Sequence, residues 1–342
     1  MSCNLASIRH CIVGLCVLAC APTVLAENCQ LERIAEVDMS VTKGGQAVVP
    51  VEINGIRVMM AIDTAGSLTS IYSGATAALN LRPKNNLRSG VLHIGAISPT
   101  QSVDITPLKM ANINWRLVNV LVYPLTKSYP PLLGEDDVVG FLGQGLFMGN
   151  DLELDFGAHK LRLYSQKHCP GAVVYWSKEF DVLPLEKDRL GDSFITMSAN
   201  GKRMLASMAS LMATSSMEED VARKELGLDR SSAGFNATGG SDGCMFCGSI
   251  TLQAQGLKIE NARVKLVQTV GPNCHLNGSN FVGGAARYGD CYGAYPLHLG
   301  MNVLSRLHLY FAYGERKLYF TAANVNTPDA SIEPAASVPA AR

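Results

Sequence analysis

The chain repeats itself. Val49-Pro50-Val51-Glu52-Ile53-Asn54-Gly55-Ile56-Arg57 returns as Phe194-Ile195-Thr196-Met197-Ser198-Ala199-Asn200-Gly201-Lys202-Arg203, and Ala77-Ala78-Leu79-Asn80-Leu81 returns as Lys224-Glu225-Leu226-Gly227-Leu228. Residues 101–120 and 249–267 read as equivalent strand pairs, Phe141-Leu142-Gly143 is matched by His298-Leu299-Gly300, and Lys160-Leu161-Arg162-Leu163 by Lys317-Leu318-Tyr319-Phe320. A repeat kept in this order means one supersecondary unit folded twice. Asn-Gly between alternating apolar runs is the strongest short hairpin signal, and both copies carry it. With 32 glycines and 17% charged residues, the composition fits an all-β protein rich in turns. The pattern predicts two similar, duplicated β lobes, 40–165 and 183–321. A linker over 166–182 joins them, and a tail over 322–342 is too poor in apolar residues to fold.

The stretch with the clearest chemical content is Ala61-Ile62-Asp63-Thr64-Ala65-Gly66-Ser67, at the end of the apolar run 48–60. An acid placed where a strand gives way to a turn is ordinarily a solvated cap. Its surroundings point elsewhere. The Asn54-Gly55 hairpin precedes it, the Leu79-Asn80-Leu81 triplet follows, and further on come Val139-Gly140-Phe141-Leu142-Gly143-Gln144, then Leu152-Glu153-Leu154-Asp155-Phe156.

These motifs, in this order, resemble the retropepsin-like (acid protease) aspartic protease family, in its exported, two-lobed bacterial form. The resemblance implies an all-β fold of two duplicated β-barrel lobes with a central cleft, and peptide-bond hydrolysis by water activated at Asp63, with Asp63 and Thr64 catalytic. Gly66 and Ser67, with Gly95 in the flap over 88–101, would contact a polypeptide substrate or peptide ligand, and no cofactor is implied. The flap segment has no Tyr or Trp to cover a substrate.

Such chemistry needs two carboxylates sharing one proton, one from each lobe. Counting from Asn200 as from Asn54 lands on Ala209; counting back from Leu228 as from Leu81 lands on Ser210. Neither is acidic, and Glu218, Glu219 and Asp220 read as solvated acids at a helix start. Losing a positioned proton donor is worth roughly 10² to 10⁴ in rate. The family's Gly is also replaced by Ala65, which is strained if that position needs φ above zero. Three readings stay open: Asp63 pairing with Asp63 of a second molecule, a two-lobed pseudo-protease that binds extended peptide without cutting it, and a structural or partner-binding envelope protein. Lobe pairing within one chain is favoured over a homodimer, because fusion raises the effective concentration of the halves.

Residues 1–26 have Arg9 in a polar head, an apolar stretch over 11–18 and Val24-Leu25-Ala26 before Glu27, the pattern of a secretory signal peptide. The apolar part is shorter than the roughly 20 residues that span a bilayer. The expectation is an exported protein, periplasmic or secreted, with no transmembrane segment. Val17-Leu18-Ala19-Cys20 is an alternative lipoprotein box with Cys20 lipidated. Without the leader, 28 basic residues face 29 acidic ones, a net charge of about −1 that argues against nucleic acid as partner.

Cys29, Cys169, Cys244, Cys247, Cys274 and Cys291 remain beyond the leader, an even number that favours disulfides in an exported chain. Cys29 with Cys169 would tie the ends of the first lobe. The Cys244–Cys247 pair has zinc-ligand spacing, but Cys274 and Cys291 do not, so no metal is assigned. The histidines, including His168, His298 and His308, form no metal-binding spacing and read as surface or strand residues. Ser67, Ser207 and Ser210 lack a His and Asp arrangement. Glu135-Asp136-Asp137 reads as a solvated loop rather than a calcium site.

Overall fold

A computed structural model describes residues 30–93, 96–123, 138–188, 191–235, 244–267 and 295–323, with backbone alone for the described part of 86–100. Both Asn-Gly pairs are two-residue hairpin turns with left-handed backbone: φ is 50° and 80° at Asn54 and Gly55, and 46° and 81° at Asn200 and Gly201. That geometry matches the twist of the flanking strands and is open to Asn and Gly at little steric cost. Around the first turn pair β1 (Ala47–Ile53) and β2 (Ile56–Asp63). The first copy continues with β3 (Ser70–Tyr72), β4 (Ala96–Met110), β5 (Ile113–Tyr123) and β6 (Val138–Gly143).

The second copy supplies β7 (Ser193–Ala199), β8 (Lys202–Met208), β9 (Ser215–Glu218), β10 (Cys247–Ala254), β11 (Leu257–Val267) and β12 (Leu297–Leu299). The first six strands pair in the order β1-β2-β6-β3-β5-β4 and close through Ile53 opposite Leu108; the second six pair as β7-β8-β12-β9-β11-β10 and close through Ala199 opposite Leu252. The two orders are identical once six is added to each strand number. The molecule is mostly β, with two closed six-stranded barrels. Each barrel fills with alternate residues of its strands: Val49, Val51 and Ile53 on β1, Ile195, Met197 and Ala199 on β7.

The hairpins that end each copy lie outside the barrels. Asp151–Asp155 and Lys160–Tyr164 from the first copy join Leu307–Ala312 and Lys317–Ala322 from the second, with Arg33–Asp38 at one edge and Asp181–Pro184 at the other, in one six-stranded sheet. Leu152 faces Phe311 and Leu154 faces Leu309 where the copies meet. Leu152, Leu154, Leu161, Leu163, Leu309 and Phe311 are buried in the continuous core beneath both barrels.

The opposite face holds a network around the fully buried Glu153, which accepts hydrogen bonds from Arg162 at 2.6 Å and from Tyr175 at 3.0 Å. Its Oε1 also lies 2.9 Å from His308 Nε2, and Trp176 stacks over the His308 ring at 4.0 Å. On the same sheet His168 Nε2 lies 2.7 Å from Asp151. His308 is a strand histidine, as read, whereas His168 is neither on a strand nor at the surface; partners on a buried face hold each ring. The expected linker, its first residue being 166, contributes the edge strand Asp181–Pro184 at its C-terminal end. The tail over 324–342 lies outside the described residues.

Candidate active site

Asp63 is the last residue of β2, and the parallel strand β6 lies beside it with Gly143 opposite. Gly143 has a steric reason to be glycine: a Cβ there would stand 2.4 Å from the Leu68 carbonyl. The close approach lets β6 brace the turn. The Gln144 N–H donates to Gly66 O at 2.9 Å, its side-chain Nε2 to Ala65 O at 3.0 Å, and the Gly145 N–H to Ser67 O at 3.2 Å. Gln144 stood inside a recognised motif, but its type gave no hint that a buried amide would clamp the turn.

Within the turn, Asp63 Oδ1 accepts the backbone N–H groups of Ala65 and Gly66, both at 3.0 Å. Asp63 is 9% exposed. Burial is the largest influence on its carboxyl and pushes the pKa up to about 6, against the two N–H bonds, with a further small push from the nearby Asp192. An ordinary titration, expected of a solvated acid, is thus replaced by one moved toward neutrality. Neither Ala65 nor Gly66 has positive φ. The backbone needs no glycine at 65, so Ala there carries no conformational strain.

The same brace recurs in the second lobe, residue for residue. The Gly300 N–H donates to Ser215 Oγ as the Gly143 N–H does to Thr69 Oγ1. The Met301 N–H donates to Met212 O as Gln144 does to Gly66, and the Asn302 N–H to Ala213 O as Gly145 does to Ser67. These bonds align Met212 with Gly66 and Ala213 with Ser67, and hence Ala209 with Asp63. Of the two counts made along the sequence, this alignment selects Ala209 as the counterpart of the acid and Ser210 as the counterpart of Thr64.

The two turns meet. The Thr64 N–H donates to Ser210 Oγ at 3.0 Å, the Thr64 hydroxyl to Met208 O at 2.5 Å, and the Ser210 hydroxyl to Ile62 O at 2.5 Å. All of these groups are buried, so each bond is a requirement of the packing. Thr64 is consequently a joint between lobes, and its hydroxyl is fully engaged. Gly66 and Ser67 stand beside Asp63 with part of their surface exposed. Gly95, Cys29, Cys274, Cys291 and the Glu135-Asp136-Asp137 loop lie outside the described residues.

Other expectations are corrected. Glu218 and Glu219 are buried, at 8% and 9% exposure, because Glu218 ends β9 in the place of Tyr72 on β3 and Glu219 pairs with Arg230 at 2.9 Å. Ser207 does have a histidine: the parallel pairing of β8 and β12 brings His298 Nδ1 to 2.6 Å from its Oγ. That contact spans residues 91 apart, beyond what spacing reveals. The expectation of disulfides, by contrast, holds for Cys244, which is bonded to Cys247, and Cys169 is also disulfide-bonded.

Among the described residues one carboxylate–histidine cluster has metal-like spacing, Glu153, Asp155 and His308. Arg162 lies between its acids, 2.6 Å from Glu153 and 3.2 Å from Asp155. A guanidinium in the centre of the donor set already supplies the positive charge that a metal would, so the cluster reads as a structural ion network. No helix among the described residues is long and apolar enough to cross a membrane.

Residues 49–145 match the family model described as aspartyl protease. The match runs from β1 to the residue after Gln144, so it takes in the Asp63 turn and its brace. No curated protein matches the chain.

Proposed function

We propose that the chain is an aspartic-type endopeptidase-like protein of the retropepsin-like kind, a reading supported by the aspartyl protease family match over residues 49–145, and that its turnover is weak because the second lobe has no acid at the matching place. Asp63 would polarise a water against the scissile carbonyl of an extended polypeptide lying across the two turns. The carboxyl has the burial such chemistry uses, and a pKa near 6 keeps both protonation states accessible at mildly acid pH.

The observation that carries the reading is the alignment of Ala209 with Asp63 through matching backbone bonds in both lobes. A methyl group can neither hold nor release the shared proton. Export is supported by the leader-like pattern of residues 1–26.

The test is cleavage of an unfolded polypeptide by purified protein between about pH 3 and 6. Slow cleavage that disappears in Asp63→Asn is expected; cleavage that persists in Asp63→Asn would place the chemistry elsewhere. A second reading is favoured by the Ala209 observation itself: a peptide-binding pseudo-protease would bind extended peptide equally well as wild type and as Asp63→Asn while cutting nothing.

A further inference from the structure

Three consecutive N–H groups of the Asp63 turn are divided between two carboxylates. Those of Ala65 and Gly66 go to Asp63, and that of Ser67 goes to Asp192 Oδ1 at 2.9 Å. Asp192 belongs to the second lobe, in the loop just before β7.

The loop that carries it is a copy of one in the first lobe. The Asp188 N–H donates to Asp192 O at 3.0 Å as the Thr42 N–H does to Gln46 O at 2.9 Å. The Asp192 N–H donates to Asp188 Oδ1 at 3.0 Å as the Gln46 N–H does to Thr42 Oγ1 at 3.1 Å. Each loop reaches the turn of the opposite lobe, and there the copies differ. Gln46, an amide, donates to Leu211 O at 3.2 Å, on the turn that lost its acid. Asp192, a carboxylate, lies on the turn that kept it.

We propose that Asp192 is a positioning residue for Asp63, the partner carboxylate that position 209 no longer provides, delivered by the second lobe from a different loop. This rests on the assignment of Asp63 as the working acid. The charge of Asp192 acts through space on the Asp63 carboxyl and adds to the burial that already favours its protonated form. Among the described residues the titratable groups around the pair include Asp188, which faces Asp192, and Tyr295, whose hydroxyl donates to Asp188 Oδ2 at 2.8 Å; Arg189 of the same loop lies outside the described residues. Among the described residues no cation offsets either acid. Burial raises the Asp192 carboxyl as well, and Asp188 adds to the rise. Two acids that accept adjacent N–H groups of one turn titrate as a pair, each feeling the proton of the other.

The experiment is a ¹³C-carboxyl NMR titration of the full folded protein without substrate. Asp192→Asn keeps an oxygen to accept the Ser67 N–H and removes only the charge. In that variant the Asp63 midpoint should fall by about half a pH unit. Asp192→Glu should leave it within a few tenths of a unit of the wild-type value. In wild type the Asp192 signal should show a second inflection at the Asp63 midpoint, a measurement that stands if Asp192→Asn does not fold. An unmoved Asp63 midpoint in folded Asp192→Asn, or a single-step Asp192 curve in wild type, would overturn the proposal. Because no substrate is present, linked titration in a protein that cuts no polypeptide contradicts the peptidase reading alone. A cutting protein with independent acids contradicts only the pairing.

Discussion

Ser210 holds the second-lobe place of Thr64, and the two side chains meet, with their hydroxyl oxygens 3.1 Å apart. One takes the backbone N–H of the other and each gives its proton to a carbonyl across the junction. The junction therefore has a hydroxyl on both sides and a neighbouring acid on one. The hydroxyls are needed for the lobes to seat against each other, a demand of packing independent of catalysis. An acid at 209 would be needed only for the chemistry.

Ser210→Ala should lose about 2 to 4 kcal/mol in urea denaturation, since it strands the buried Thr64 N–H and Ile62 carbonyl at once. Ser210→Thr restores the first-lobe side chain and should fall within about 1 kcal/mol of wild type. Equal stability of Ser210→Ala and wild type would mean the junction contributes nothing.

Gly66→Ala should disturb the acid rather than the backbone. A Cβ there would lie 2.7 Å from Asp63 Oδ2, and the residue's φ is not left-handed. The expected outcome is a displaced Asp63 carboxylate, a loss of about 1 to 2 kcal/mol, and at least a tenfold fall in any cleavage. Thermal melts and a cleavage assay on the same preparation separate the two effects.

The raised Asp63 carboxyl sets a sign for stability against pH. The unfolded chain gives up this proton near 3.8, and the folded chain holds it to about 6. Across that window the folded state binds more protons, so the contribution of Asp63 is full below 3.8 and is lost as pH rises through about 6. Asp63→Asn should match wild type near pH 4 and be more stable by roughly 2 to 3 kcal/mol near pH 7.5. Chemical denaturation at the two pH values measures it; an equal difference at both would place the burial cost elsewhere.

Much of the fold was legible because its signals are local. Asn54-Gly55 and Asn200-Gly201 name a turn type outright, and strand alternation sets which residues fill each barrel. The equivalence of Ala209 with Asp63 was legible only to within one residue, because counting from either flank assumes a loop of fixed length, whereas the backbone bonds of Gly300, Met301 and Asn302 fix it in space. The shared sheet was not legible, since a hairpin such as Leu152–Leu163 does not announce which strand its edge will meet. Asp192, Gln46 and His298 left no trace in spacing: their roles arise when one lobe is laid against the other, or when a parallel crossover brings distant strands together. The burial of Glu218 and Glu219 escaped the reading for a related reason, since acids in a row look solvated until a strand end carries them inward.

Restoring the missing acid tests the central claim most directly. Ala209→Asp should raise cleavage of an unfolded polypeptide at about pH 4 to 5 by roughly 10² or more over wild type, and adding Asp63→Asn should abolish the gain. A folded Ala209→Asp protein that cuts no faster than wild type would contradict the view that this site is a duplicated acid-protease centre short of one carboxylate.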